Sequence, residues 1–159
     1  MRSRASFAGH PIHPATVAIP IGAFTVTLVA DLVAYTTGDP GWGDTARYAL
    51  IVGIVGALVA AVFGLIDYFK VTMSEAGFRV ARRHLILNLI AVALFVVSLC
   101  LRLRDPDGWC VPGFVASTVA YLIVGASGYL GGELVFKHKV GVVETADREA
   151  TELGQKEAR

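Results

Sequence analysis

Four long apolar runs constrain this chain more than any other feature: Ala15 to Tyr35, Ala46 to Phe69, Leu85 to Leu101 and Pro112 to Phe136. A hydrocarbon core about 30 Å thick takes roughly 20 helical residues at about 1.5 Å each, and every run is near that length. Soluble helices of this size carry a polar face, whereas these carry almost none. Backbone groups find no water in lipid, so spans of this kind are helical. The composition agrees, with 55% hydrophobic residues and only 17% charged, where a soluble domain has about 25% charged. A net charge of +1, from 14 basic and 13 acidic residues, excludes a disordered chain and speaks against a nucleic-acid partner. The two cysteines make neither a disulfide scaffold nor a zinc spacing.

The connections, Thr36–Thr45, Lys70–His84 and Arg102–Val111, are short, so neighbouring helices run antiparallel. The expected fold is all-α: an integral membrane up-down four-helix bundle with helices near 15–36, 46–69, 82–103 and 112–137. The bundle domain is 1–143, followed by a charged, solvated tail at 144–159. This topology puts both termini and the Lys70–His84 connection on one face, with Arg2, Arg4, Lys70, Arg79, Arg82, Arg83, Lys137, Lys139, Arg148, Lys156 and Arg159. The opposite face keeps Arg47, Arg102 and Arg104. By the positive-inside rule both termini are cytoplasmic. Trp42, Tyr48 and Trp109 fall near the far interface and Tyr68 near the cytoplasmic one, as aromatic anchors do. The first run is longer than a signal-peptide core and follows a mostly polar stretch, so it is expected to remain as a span. No internal repeat is evident.

The chemistry-bearing residues gather at one end. His10 and His13 precede the first helix, His84 opens the third, His138 follows the fourth, and Asp67 closes the second. All five are candidate ligands for a transition metal or haem iron, since imidazole suits several metals. In Gly9-His10-Pro11-Ile12-His13-Pro14 each histidine precedes a proline, which disfavours α backbone and stiffens the segment. The same pattern also suits a helix cap at the headgroup level. Pro20 sits near the first turn of its helix, where a mild kink is expected. A carboxylate at a helix C-terminus is disfavoured by the dipole, so Asp67 needs a partner: Arg82, Arg83, a histidine or a metal. His84 and Asn88 share a helix face, so Asn88 either orients His84 from behind or hydrogen-bonds another helix. Arg83 is a second supporting candidate. Glu133 and Lys137, also four apart, suit an ion pair. Asp31 is expected to reach water or Arg104. Gly53, Ala57 and Ala61, and Gly128 and Gly132, form small-residue rows that permit close helix packing. Cys100 and Cys110 both lie toward the outer side, where a disulfide is conceivable.

Taken together, the Gly9–Pro14 motif, Gly64-x-x-Asp67-Tyr68, Arg83-His84-x-x-x-Asn88 and Gly131-Gly132-x-Leu-Val-Phe-Lys-His138 resemble the bacterial domain of unknown function 2231 family of four-helix inner-membrane proteins. The resemblance covers roughly residues 7–143. It departs at Lys139, where family members usually have glycine and hence a tight turn. The family has no established activity. Fusions of some members to Rieske-type iron–sulfur domains imply an electron-transfer setting.

Three functional readings follow. One is a redox module binding haem b or a transition metal at the histidine and aspartate residues, with a redox partner protein. Another is a small transporter or proton-coupled device, although the middle of the bundle lacks charge. The third is an accessory subunit without a cofactor. Besides lipid, a second copy of the chain is a possible partner. No nucleophile–base pair is identifiable, so independent catalysis is not expected.

Overall fold

A computed structural model describes residues 3–105 and 109–142. The expected tail at 144–159 lies outside them. A two-stranded hairpin, β1 (Ser6–Phe7) and β2 (His10–Pro11), leads into α1 (Ile12–Thr16) and α2 (Ala18–Thr37). Then come α3 (Pro40–Lys70), α4 (Glu75–Arg102) and α5 (Val111–Phe136). Together α1 and α2 make one span, Ile12–Thr37, so four helical spans are long and apolar enough to cross a membrane. The break at Val17 has a local cause. Pro20 has no N–H for the Thr16 carbonyl and its ring crowds that carbonyl, so the helix restarts there.

The helices begin earlier than the apolar runs predict, because their first turns are polar. Asp39 caps α3 by accepting from the Gly41 N–H at 2.8 Å, with Pro40 at the first helical position. Ser74 caps α4 through the Gly77 N–H at 3.2 Å, with Glu75 in the first turn. α2 packs mainly on α3 and α4 mainly on α5, while lighter α3–α4 and α2–α5 contacts close the ring.

Burial is inverted relative to a soluble protein. Large apolar side chains such as Val26, Leu58, Val62, Leu89, Val97 and Leu122 point outward. The interior holds Ala30, Ala46, Leu50, Ala91 and Ala120, with Thr27, Ser98 and Ser127 among them. A water-soluble monomer does not present apolar surface on this scale, whereas lipid takes it without cost.

The interior also reveals an internal repeat that the sequence reading did not find. His13, Phe24, Thr27 and Asp31 recur as His84, Phe95, Ser98 and Arg102, at a constant offset of 71 residues. On the partner helices Ala46, Leu50, Gly53, Ala60 and Gly64 correspond to Gly113, Ser117, Ala120, Ser127 and Gly131, at an offset of 67. Except for the histidines, Gly64 and Gly131, every member of both sets is buried. Equivalent residues also meet: Phe24 stacks on Phe95 with ring centres 3.6 Å apart, and Asp31 pairs with Arg102. The bundle is therefore two helical hairpins related by a pseudo-twofold axis along its length, the parallel kind of repeat.

Near the end opposite the termini, the Arg102 guanidinium donates to both Asp31 carboxylate oxygens, at 2.7 and 2.6 Å, and neither side chain is exposed. Ser117 Oγ donates to Asp31 at 3.1 Å, and Arg102 Nε donates to Ser98 Oγ at 3.2 Å. The expected Arg104 partner is thus replaced by Arg102. Arg102 continues the inner row of Phe95 and Ser98, while Arg104 is rotated to the exposed side.

The small-residue rows divide. Gly53 is buried against Phe24, and Ala57 packs on the core, with Ala61 half-buried. Gly128 faces outward with nothing near it, and Gly132 meets only its own Phe136. The inner face of α5 is the row through Ser117, Ala120, Ser127 and Gly131 instead. Cys100 and Cys110 are free thiols. A Cβ on Gly53 would come within 2.4 Å of the Phe24 ring. Gly53→Ala is accordingly expected to destabilise the bundle by about 1–3 kcal/mol through overpacking. Gly128→Ala, with open space, should leave thermal unfolding in detergent unchanged.

Candidate functional site

The N-terminal segment reaches the bundle through Asp67. Its carboxylate accepts from Ser3 Oγ at 2.7 and 2.9 Å, from the Arg4 N–H at 2.8 Å and from the Ala5 N–H at 3.0 Å. The partners of Asp67 are therefore the Ser3 hydroxyl and a turn of main chain, in place of the expected arginine, histidine or metal. Successive N–H groups suit an anion at a helix C-terminus because they supply partial positive charge where the dipole does not. From this clamp the chain turns through Ala8 (φ 47°) and Gly9 (φ 79°), pairs β1 with β2, and enters α1. The Ile12 N–H donates to Ala5 O at 2.9 Å, which ties the start of α1 to the clamped segment.

His10 stands on β2, exposed, with Nδ1 at 3.0 Å from Ala8 O. His13 is the second residue of α1, and its Nδ1–H donates to Ala60 O on α3 at 2.8 Å. His84 repeats this arrangement in the other half, its Nδ1–H donating to Ser127 O on α5 at 2.8 Å. In an α-helix each of these carbonyls also accepts the N–H four residues on, which belongs to Gly64 and Gly131 respectively. Those glycines lie under the rings. A Cβ at Gly64 would be 3.0 Å from the His13 ring, and one at Gly131 would be 3.2 Å from the His84 ring. The two imidazoles face one another near-perpendicularly (84°), with centres 6.4 Å apart. With Nδ1 protonated by its carbonyl bond, each neutral ring keeps its lone pair at Nε2.

Asn88 attends only one of the pair. Its amide nitrogen is 2.9 Å from His84 O, 2.7 Å from Ser127 Oγ and 3.2 Å from His84 Nε2, three acceptors for two N–H bonds. The equivalent position in the first half is Val17, and among the described residues His13 Nε2 has no hydrogen-bond partner. Asn88 thus both orients His84 and reaches another helix.

His138 is placed elsewhere. Its ring packs on Gly77 in the first turn of α4, and Nε2 is 4.0 Å from Glu133. The expected Glu133–Lys137 pair is present at 2.9 Å, and it raises the Lys137 ammonium above its ordinary pKa. Lys139 takes the left-handed backbone (φ 56°), and Val140 N–H donates to Leu134 O at 3.0 Å. The tight turn is therefore kept without the glycine. Arg83 is exposed beside His84.

The five candidates thus share one end of the bundle but not one site. Among the described residues, no three His, Cys, Asp or Glu side chains are close enough to hold a metal ion together. The structure brings His13 and His84 together, with Asn88 and Ser127 behind. The sequence reading missed Ala60, Ser127 and the packing role of Gly64 and Gly131. Their signal was the offset repeat, in which each histidine has a glycine at a matching place on the next helix.

If Asp67 anchors the segment, Asp67→Ala should raise amide hydrogen exchange at Arg4 and Ala5 at least about tenfold. A hydrogen bond to a charged group contributes about 1.5–3 kcal/mol, and about 1.4 kcal/mol is tenfold. Exchange measured by mass spectrometry that stays at the parent rate would show that these bonds do not hold the segment.

Residues 9–144 match the family described as "Predicted membrane protein (DUF2231)". No curated protein and no solved structure matches the chain.

Proposed function

The chain belongs to the DUF2231 family of predicted membrane proteins, and on that footing we propose that it is a bis-histidine module that holds one haem b through His13 and His84 in an electron-transfer role. The observation that carries this reading is the pairing of two imidazoles at equivalent positions across the axis, each with Nδ1 tied to a main-chain carbonyl. Ligating histidines characteristically make such a bond from the nitrogen that does not bind the metal, which sets tautomer and ring direction.

The donor set favours haem over a bare ion. Zinc and similar ions take three or four protein ligands, whereas only two converge here. A haem would need as few as two imidazoles from the protein. His13 and His84, with ring centres 6.4 Å apart, are the two residues that would hold the haem. When bound, the haem iron would supply one-electron transfer. The protein's part is to fix both rings and to keep Nε2 unprotonated, with Asn88 positioning His84. His10, Asp67 and His138 serve the surrounding structure in this reading.

Orientation follows from charge. Arg4, Lys70, Arg79, Arg82, Arg83, Lys137 and Lys139 ring the histidine end, so that end and both termini are cytoplasmic in a bacterial inner membrane. A redox partner protein would meet the site from that side. A transport role has less support, because the stacked Phe24 and Phe95 close the axis below the histidines.

The protein purified from haem-supplied cells is expected to show a Soret band, with a sharpened α band on reduction. His13→Ala and His84→Ala should each remove most of it, while His10→Ala and His138→Ala retain it. A colourless parent protein that takes up no haem on reconstitution would sink the proposal.

A further inference from the structure

The two hairpins present nearly the same face to one another. Along the axis, histidine is set beside histidine, phenylalanine beside phenylalanine, and Thr27 occupies the register of Ser98. Such a face does not by itself distinguish its partner. Lipid-embedded helices associate through packing and hydrogen bonds, and both would be much the same if a hairpin met its own kind from a second copy. Among the positions where the halves differ, such as Leu50 against Ser117 and Val17 against Asn88, one carries opposite charges. Asp31 in the first half corresponds to Arg102 in the second, and the two are locked in a bidentate pair with no exposure.

We infer that Asp31 and Arg102 are a pairing code that makes each hairpin the binding partner of the unlike hairpin. Two first halves together would bury two carboxylates at one point on the axis, and two second halves would bury two guanidinium groups. Neither arrangement has an opposite charge to offset the desolvation. The unlike pairing satisfies both groups, and Ser98 and Ser117 complete the hydrogen bonding. Specificity therefore comes from a repulsive element against the wrong partner as well as an attractive one for the right partner. A single buried polar position sets partner choice in coiled coils in the same manner. This inference stands independently of what the histidines hold.

The full-length chain tests the code in trans. D31R leaves two guanidinium groups on the axis, and R102D leaves two carboxylates, so each variant chain lacks a partner for itself and supplies one for the other. Expressed separately, each is expected to fall at least about tenfold below the parent in folded, detergent-extracted yield. Coexpressed with different affinity tags, they should recover one another, each tag drawing down the other chain. The double exchange D31R/R102D separates a failed fold from a failed code, and it is expected to accumulate at the parent level as a chain that pairs within itself. Co-recovery of the two variants together with a stable double exchange supports the inference. Coexpressed variants that stay apart, a D31R chain that accumulates normally alone, or a double exchange that does not fold would each overturn it.

Discussion

Between the ends of a membrane bundle there is no water, so a polar group there is costly unless it finds a partner on the protein. That constraint sorts the whole chain. Most bulky apolar side chains face outward, where lipid accepts them, and the interior combines the Phe24, Leu50, Ile54 and Phe95 core with small residues and paired polar groups. The hydroxyls of Thr25, Thr27, Thr36 and Thr37 bond carbonyls a turn back on their own helix. Asp31 and Arg102 need each other, because a lone charge at that depth is costly and facing the bundle is the only remedy. Their pairing fixes how α2 meets α4, and through Ser98 and Ser117 it draws in α5.

The same register then reaches the other end. Phe24 and Phe95 stack because Gly53 opposite them has no side chain and the neighbouring positions are small. His13 and His84 follow at the mouth of the axis. A displacement at the Asp31–Arg102 pair would slide both hairpins relative to one another and so shift the two rings. Position along the axis is therefore set by the ion pair and the stacked rings, and direction at the mouth by the carbonyls of Ala60 and Ser127.

Much of this architecture was legible in the residues. Run length and hydropathy predict four spans, and short connections predict their antiparallel order. The helix starts were misjudged because hydropathy marks where lipid begins, whereas capping at Asp39 and Ser74 marks where the helix begins. The gathering of histidines at one end was readable from topology, but their division among separate partners was not. Asp67 is taken by the Ser3 hydroxyl and by the main-chain N–H groups of Arg4 and Ala5, and the latter have no side-chain signature in the sequence. The repeat was hidden for a different reason. Lipid-facing positions tolerate any apolar residue, so only the inner row retains the correspondence, and there it survives as Asp31 against Arg102, a pair that looks like divergence until the structure shows the two in contact.

The glycines show why two of the four histidines, His13 and His84, come together. A helix carbonyl is already an acceptor for its own ladder, and an imidazole reaches its second lone pair only by lying close against the helix surface. Any side chain one turn along would block that approach. Gly64 and Gly131 clear the space for His13 and His84, and each falls four residues after the carbonyl concerned. His10 has no such seat, since it lies on a hairpin and faces its own turn. His138 has a glycine against its ring in Gly77, but its Nε2 lies 4.0 Å from the Glu133 carboxylate and not beside His13 or His84. A pair of rings each held by a carbonyl over a glycine is a feature of both halves, and the pseudo-twofold axis sets the two copies face to face.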